Sequence, residues 1–274
     1  MINIRRTIAE TSLWLVCLLF FSPILFVVLN AFKDFKEIVI SPLALPASLS
    51  LHNFAEAWKF TEYPRAFMNS VKITGLSTVL VILLSSLAGY KLARTPTKLS
   101  GFLFALIAVA MMVPFQTIMV PMAQVAMKLS ILNNVWALPI LYAGYSCSLA
   151  VMLYHGFTKG IPAELEEAAI MDGCSSFGIF FKIVFPLFKP LTSTVAVIYV
   201  MTFWNDLMIP LILISKKSAF TIPLSQMMFY GHFTSTDWNL LLACAVMSSI
   251  PILILYLALQ RHIIGGLVAG AVKS

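Results

Sequence analysis

Six separate stretches of this sequence are each long and apolar enough to cross a lipid bilayer. They cover residues 12–31, 71–92, 101–126, 135–157, 191–214 and 240–259. A crossing helix needs about 20 mostly apolar residues, because the hydrocarbon layer offers no water to satisfy backbone polar groups. Of the 274 residues, 60% are hydrophobic and only 11% are charged, whereas soluble domains carry about 25% charged residues. The sequence therefore predicts an all-α integral membrane protein, with six transmembrane helices in a single domain over residues 1–274.

Two of these runs have features that refine the prediction. The first run follows Arg5 and Arg6 and is longer than the apolar core of a signal peptide, which has about 7–15 residues. We therefore expect it to be an uncleaved first helix. The third run contains Pro114 and Pro121. Since proline removes a backbone donor and disrupts the preceding helical turn, this run is predicted to be kinked or broken.

The distribution of basic residues predicts how the helices are oriented. An even number of crossings places both termini on one side of the membrane, and basic residues favour the cytoplasmic side. Arg5 and Arg6 lie beside the first run, and Lys91, Arg94 and Lys98 lie together after the second. Both termini are therefore predicted to be cytoplasmic, in a multi-pass protein within a lipid bilayer.

Two connections are long enough to form structure of their own. The outer connection, residues 33–70, includes Leu51, Phe54, Ala57 and Trp58 at helical spacing. It predicts an amphipathic helix that lies on the membrane surface or on the helix bundle. The inner connection, residues 158–190, carries the most specific pattern in the chain.

The charge and cysteine patterns exclude several classes of site. The net charge is +7, but the basic residues are scattered between apolar runs and form no stripe, so no nucleic acid is expected as a partner. Three of the four cysteines, Cys17, Cys147 and Cys244, lie inside apolar runs, and no CxxC spacing occurs. The four histidines are isolated. Neither a disulfide framework nor a metal site is predicted.

The inner connection has the local chemistry of a helix, a sharp turn and a second helix. Pro162 suits a first helical turn, and three glutamates at 164, 166 and 167 place negative charge near the positive end of the helix dipole. Gly173 can adopt the left-handed conformation that ends a helix. Ser175 or Ser176 can then cap the next helix, which runs toward Pro186.

One face of the predicted first helix is partly apolar, and its two alanines give it short side chains. Leu165, Ala168, Ala169 and Asp172 share this face by the spacing of three and four residues. Such a face, with acids beside it, suits insertion into a groove on a partner protein. An ordinary amphipathic surface helix would show the same periodicity, so the spacing alone does not decide between them.

The amino-acid sequence of this connection resembles the EAA loop of ABC importer permeases. EAAIMDG occupies residues 167–173 and is followed by Ile183, Pro186 and Leu187 in register. The resemblance implies a type I ABC importer permease fold, in which this loop forms a cytoplasmic coupling helix that docks into a cleft on an ATP-binding subunit. The residues that it assigns to ATPase coupling are Glu164, Glu167, Ala168, Ala169, Asp172 and Gly173.

The end of the chain narrows the resemblance to one subfamily. RHIIGGLVAGAVKS, residues 261–274, is similar to the glycine-rich tail of the shorter carbohydrate permease of maltose-type importers. Further shared residues are Asn53, Phe54, Trp58, Asn69, Ser70, Pro114, Gln116, Pro121, Trp204, Asn205, Trp238 and Asn239. On its composition alone the tail is a flexible end, because glycine lowers helix propensity. The resemblance implies that it contacts the ATPases through Gly266, Gly270 and Lys273.

The same resemblance implies a function and a set of partners. The chain would be the permease subunit of an ATP-driven importer in the plasma (inner) membrane of a prokaryote. It would move a carbohydrate, an oligosaccharide, delivered by an extracytoplasmic sugar-binding protein. Its other partners would be a second, different permease and two ATP-binding subunits. The chain has no GxxxxGK[ST] phosphate loop, so we expect it to be no enzyme and to bind no cofactor, while ATP and Mg²⁺ bind to the partner ATPases.

The polar residues of the fifth run are candidates for a substrate path. Asp206 is the one acid within a predicted crossing, beside Trp204 and Asn205. With Gln116 they could hold a sugar, which is bound by hydrogen bonds and aromatic faces. A position near the hydrated outer end of the helix, or a role in packing between helices, explains these residues equally well.

Two other functional classes fit this sequence less well than an ABC permease does. An ion-coupled secondary transporter of a small polar solute would need several ionisable groups inside the membrane, and only Asp206 qualifies. A membrane enzyme would need paired carboxylates, a nucleophile with its base, or a metal cluster on one helix face. The sequence favours the permease over both.

Overall fold

The computed structural model describes residues 4–230 and 236–271, and within them every extended regular element is helical. The helices are α1 Ile4–Asn30, α2 Phe35–Ile40, α3 His52–Phe60, α4 Tyr63–Arg94, α5 Lys98–Ala110, α6 Phe115–Lys128, α7 Leu138–Lys159, α8 Glu164–Met171, α9 Ser176–Ile179, α10 Phe185–Leu187, α11 Lys189–Asn205, α12 Met208–Leu213, α13 Ile222–Gln226 and α14 Trp238–Ala271. A π-helical turn, Phe180–Val184, joins α9 to α10. The predicted all-α fold is confirmed.

Three of the described helices, α1, α4 and α14, are long and apolar enough to cross a membrane. Two bent pairs reach the same length and hydropathy together, which raises the number to at most 5. One pair is α5 with α6, and the other joins Ser176–Leu187 to α11. Helix α7 has 22 residues but is less apolar, and it is not among these crossings. The count of six crossings therefore stays a prediction.

The third apolar run is broken, as the two prolines predict. α5 and α6 meet at an angle of 101°. Pro114 immediately precedes α6 in an extended conformation, whereas Pro121 lies inside α6 without ending it. The break therefore comes at the first proline, where the missing N–H coincides with a helix start.

The fifth apolar run was expected to form one helix over residues 191–214, and this prediction is wrong. α11 ends at Asn205, Asp206 is extended with φ −71° and ψ 128°, and α12 begins at Met208. The physical reason is Pro210, which has no N–H for the carbonyl of Asp206 and whose ring clashes with it in a continuous helix.

The last helix is longer than predicted. The backbone stays helical through Gly266 and Gly270 to Ala271, where composition predicted a flexible end. Each glycine costs about 1 kcal/mol relative to alanine, but extending an existing helix avoids the larger cost of nucleating one. Lys273, the third residue of the predicted ATPase-contacting tail, lies outside the described residues.

The chain divides into two compact units, the first made of residues 1–66 and 222–251 and the second of residues 67–221 and 252–274. In the first unit, the predicted amphipathic helix is present as α3. Its Ala57 is fully buried, and the ring of Phe54 packs 5.0 Å from that of Phe32. Leu51 and Trp58, assigned to the same face, are exposed. The helix therefore packs on its own unit along a narrower face than predicted.

Lys33, a charged residue of the connection after α1, has a structural role in the first unit. Its side chain is fully buried, and the ammonium donates to the carbonyls of Ser41 at 2.9 Å and Pro42 at 3.2 Å. Because these carbonyls follow the C-terminal end of α2, the positive charge also lies near the negative end of that helix, where a cation is stabilising. Lys33 thus fixes the turn after α2.

Candidate functional site

The helix–turn–helix predicted in the inner connection is present in the second unit. α8 begins at Glu164 and carries three acids in its first turn. The chain reverses at Gly173, whose φ of +78° is the left-handed conformation that favours glycine. Ser175 then caps the next helix by accepting from the backbone N–H of Gly178 at 3.2 Å. Of the two serines proposed as caps, Ser175 has this role.

The helix after the turn contains the π-helical turn Phe180–Val184, which the sequence analysis did not predict. Pro186 follows it and cannot donate to the carbonyl of Lys182. This missing bond is the local signal that could have indicated an irregular turn. Phe180 and Val184 are buried, so the wider turn directs two apolar side chains inward.

Most of the residues predicted to couple to an ATPase lie on the outside of the chain. Glu164, Glu167, Ala168 and Asp172 are exposed, and Met171 is 87% exposed. Ala169 is an exception, since it is only 5% exposed and faces its own unit. The expectation that both alanines share an outward face is therefore wrong, because adjacent residues on a helix point about 100° apart. The exposed surface is acidic with apolar side chains beside it.

The remaining glutamate of α8 is the contact that the sequence analysis missed. Oε1 of Glu166 accepts from Nε of Arg94 at 2.7 Å, and Oε2 accepts from the hydroxyl of Tyr90, also at 2.7 Å. Nη2 of Arg94 donates to the carbonyl of Ile161 at 2.8 Å, three residues before α8. No local pattern signals this contact, because Arg94 and Glu166 lie 72 positions apart.

A cavity of about 220 Å³ lies beside the break in the fifth apolar run. It is lined by Phe115, Gln116, Tyr142, Tyr145, Ser146, Thr202, Phe203, Asp206, Met208 and Ile209. Two of the four predicted path residues, Gln116 and Asp206, therefore lie at one cavity. Trp204 and Asn205 do not line it: Trp204 is buried with its ring edge-on to Phe67, and Asn205 donates to the carbonyl of Met201.

The carboxylate of Asp206 is held by three donors. Oδ2 accepts from the hydroxyl of Tyr142 at 2.6 Å and from the N–H of Ile209 at 3.1 Å, and Oδ1 accepts from the N–H of Met208 at 3.3 Å. Two of the donors are the first backbone groups of α12, which otherwise lack partners. Asp206 therefore has the packing role that the sequence left open, while it also borders the cavity.

Taken together, membrane-length helices joined by an exposed acidic helix–turn–helix define a polytopic membrane protein of the transport-permease class. Residues 81–267 match the family model of the binding-protein-dependent transport system inner membrane component. The chain belongs to this family, and its resemblance to ABC importer permeases is confirmed.

Relatives of known name match along most of the chain. The melibiose/raffinose/stachyose import permease protein MelC of Bacillus subtilis is 40% identical over 231 residues, which are 84% of this chain and 83% of the relative. The multiple sugar-binding transport system permease protein MsmG of Streptococcus mutans is 36% identical over 255 residues, or 92% and 91% of the two chains.

The fold is also that of a solved transporter. A chain from the crystal structure of a bacterial ABC transporter involved in the import of the acidic polysaccharide alginate superposes with a TM-score of 0.82. The match covers 94% of this chain and 96% of the other at 18% identity, so it concerns the fold alone.

Proposed function

We propose that this chain is the translocation subunit of an ATP-driven importer that moves a carbohydrate into the cytoplasm, after an extracytoplasmic binding protein has delivered it. The observation that carries the proposal is the exposed acidic surface of α8 in a chain of this family. The names of the relatives MelC and MsmG support a sugar as substrate. MelC is named for melibiose, raffinose and stachyose, which supports an oligosaccharide as the substrate.

In the proposed complex, α8 is the coupling helix and docks on an ATP-binding subunit. Glu164, Glu167, Ala168 and Asp172 would meet this partner, and their exposure supports that role. Gly173 would set the angle of the following helix, because its left-handed conformation fixes the turn. Ala169 would support α8 from behind rather than contact the ATPase, since it is buried.

The proposed membrane arrangement has six crossings. α7 would be the fourth of them, because 22 residues at about 1.5 Å each reach across a hydrocarbon layer of about 30 Å. α11 with α12 would form the fifth, which places residues 158–190 outside the bilayer. The basic residues Arg5, Arg6 and Lys98 then favour cytoplasmic termini in a prokaryotic inner membrane.

The proposed assembly contains a second, different permease chain, two ATP-binding subunits and the sugar-binding protein. ATP and Mg²⁺ would bind to the ATPases alone. A second crystal structure shows the alginate transporter in complex with an alginate pentasaccharide-bound periplasmic protein, and one of its chains superposes on this chain with a TM-score of 0.67. That complex supports a binding protein as partner. The tail residues Gly266, Gly270 and Lys273 would contribute a second contact with the ATPases.

The proposed substrate contact is the cavity at Gln116 and Asp206. Tyr145 adds an aromatic ring and Thr202 a hydroxyl to the lining, and sugars bind to such mixtures of aromatic faces and hydrogen-bonding groups. A cavity of about 220 Å³ is smaller than the roughly 300–1,000 Å³ typical of pockets for drug-sized ligands. It would therefore hold one end of an oligosaccharide while the second permease holds the rest.

Reconstitution of the complex in proteoliposomes tests the proposal. Uptake of labelled raffinose should require ATP inside the liposomes and the loaded binding protein outside. Unloaded binding protein is the matched control and should give no uptake. Uptake driven by an ion gradient without ATP would contradict the proposal and favour a secondary transporter instead.

A further inference from the structure

The C-terminal end of α4 contacts both arms of the inner helix–turn–helix. Tyr90 contacts the first arm through its hydroxyl, which donates to Glu166 of α8. It contacts the second arm through its ring, which lies 5.3 Å from the ring of Phe180 in the π-helical turn. One side chain of a membrane-length helix thus touches both segments on either side of Gly173.

Arg94 strengthens this attachment one turn further along α4. Its guanidinium pairs with Glu166 and also donates to the carbonyl of Ile161, so it holds the start of α8 at two points. The side chains of Arg94 and Glu166 are only 22% and 12% exposed. A charge-assisted hydrogen bond shielded to this degree is stronger than an ion pair on an open surface.

α4 is in turn packed tightly against α7 immediately before these residues. A Cβ added at Gly89 would lie 2.7 Å from Cβ of Tyr154 and 2.8 Å from the backbone N of His155. Tyr154 is fully buried and donates to or accepts from Thr192 of α11 at 3.0 Å. Interfaces packed this closely transmit displacements instead of absorbing them.

We infer that Glu166, Tyr90 and Arg94 form the mechanical link that carries a displacement of α8 into the membrane helix α4; we call these three residues the α4–α8 clamp. The inference rests on the proposed function, in which α8 receives the motion of an ATPase. The inference assigns different roles to the neighbouring glutamates of α8. The outward Glu164 and Glu167 meet the partner, whereas the inward Glu166 transmits the motion. All three clamp residues are positioning residues that contact no substrate.

Glu166→Gln is the first test, because the amide keeps the size of the side chain and removes its charge. The complex should still assemble with its ATPases and hydrolyse ATP at the basal rate. Uptake per ATP hydrolysed should fall roughly tenfold, since the negative charge that strengthens the shielded contact with the Arg94 guanidinium is removed. Glu56→Gln is the matched control: it also loses one partner of an ion pair, the exposed contact with His52, and should leave uptake per ATP unchanged.

Two further tests keep the inference falsifiable if Glu166→Gln does not fold: a hydroxyl deletion and a charge exchange. Tyr90→Phe retains the ring packed on Phe180 and removes only the hydroxyl, so it should reduce uptake per ATP to a smaller extent. Arg94→Glu and Glu166→Arg should each uncouple the complex, and combining them should restore much of the coupling.

The outcomes distinguish the clamp from the proposed function. A wild-type chain that takes up no sugar with ATP and the binding protein would contradict the proposed function itself. A wild-type complex that transports, together with Glu166→Gln and Tyr90→Phe complexes whose uptake per ATP is unchanged, would overturn the clamp alone. Loss of ATPase co-purification in Tyr90→Phe would also overturn it, because the hydroxyl would then serve assembly instead of coupling.

Discussion

The hydroxyl of Tyr142 in α7 donates a 2.6 Å hydrogen bond to Oδ2 of Asp206, the residue at which the fifth apolar run breaks. The same carboxylate accepts from the first two N–H groups of α12. One acid therefore joins two helices to the start of a third. This relationship accounts for an ionisable residue in an apolar segment without requiring that it bind substrate.

Asp206→Ala is expected to lower the free energy of unfolding, because it leaves the Tyr142 hydroxyl and two N–H groups of α12 without their partner. Loss of a helix-capping side chain costs about 1 kcal/mol, and an unpaired buried group costs about 1–3 kcal/mol. Asp206→Asn should retain most of the stability, since asparagine also accepts from such N–H groups. Thermal unfolding in detergent micelles measures both. Equal stability of Asp206→Ala and the wild type would contradict the structural role.

The local features of the fold were predictable because their causes lie within a few residues. Pro114 indicates where the third run breaks, and Gly173 with Ser175 indicates the turn after α8. Each of these residues acts through its own backbone geometry or on a neighbour within one helical turn. A sequence pattern can therefore specify them without knowledge of the tertiary structure.

The contacts that were missed join distant parts of the chain. Glu166 and Arg94 pair across 72 positions, and Tyr142 and Asp206 across 64. From the sequence, Arg94 is only a charge that favours the cytoplasmic side, because nothing near it shows that a glutamate lies within reach. For the same reason, spacing alone assigned Ala169 to an outward face that the packing of α8 turns inward.

Gly173→Val is expected to uncouple transport while the complex still assembles. A β-branched residue at a φ of +78° is strained by about 1–3 kcal/mol, although among the described residues no atom lies within 4 Å of the position of its Cβ. The strain should change the angle between α8 and α9. Uptake per ATP in proteoliposomes measures the effect, and Gly173→Asn, which tolerates the left-handed conformation, should be closer to the wild type. Wild-type coupling in Gly173→Val would show that the turn is not needed.

Gly89→Ala is expected to destabilise the chain because of the close approach between α4 and α7. The added methyl group would lie 2.9 Å or less from Val151 O, His155 N and Tyr154 Cβ, and overpacking of this kind costs about 1–3 kcal/mol. Gly75→Ala is the matched control on the same helix, since its Cβ would meet open space. It should gain about 0.5–1 kcal/mol from helix propensity. The two melting temperatures should therefore shift in opposite directions, and a shift in the same direction would refute the packing argument.

Asn53→Leu tests the polar centre of the first unit. The side-chain amide of Asn53 is 3% exposed and donates to the carbonyls of Ala31 and Lys33, each at 2.9 Å, while its Oδ1 accepts from Asn239 at 3.1 Å. Leucine has a similar size but leaves these partners unsatisfied, which costs about 1–3 kcal/mol for each buried group that finds no other partner.

His52→Ala is the control for Asn53→Leu, because its only described ion pair, with Glu56, is exposed on both sides and such pairs contribute about 0–1 kcal/mol. We expect the melting temperature of Asn53→Leu to fall well below that of His52→Ala. Limited proteolysis should then cleave the connection between α1 and α3 sooner in Asn53→Leu, because the hydrogen bonds from the Asn53 side chain hold that connection against α3. If the cleavage rates of the two variants were the same, the hydrogen bonds of Asn53 would not be what holds the connection in place.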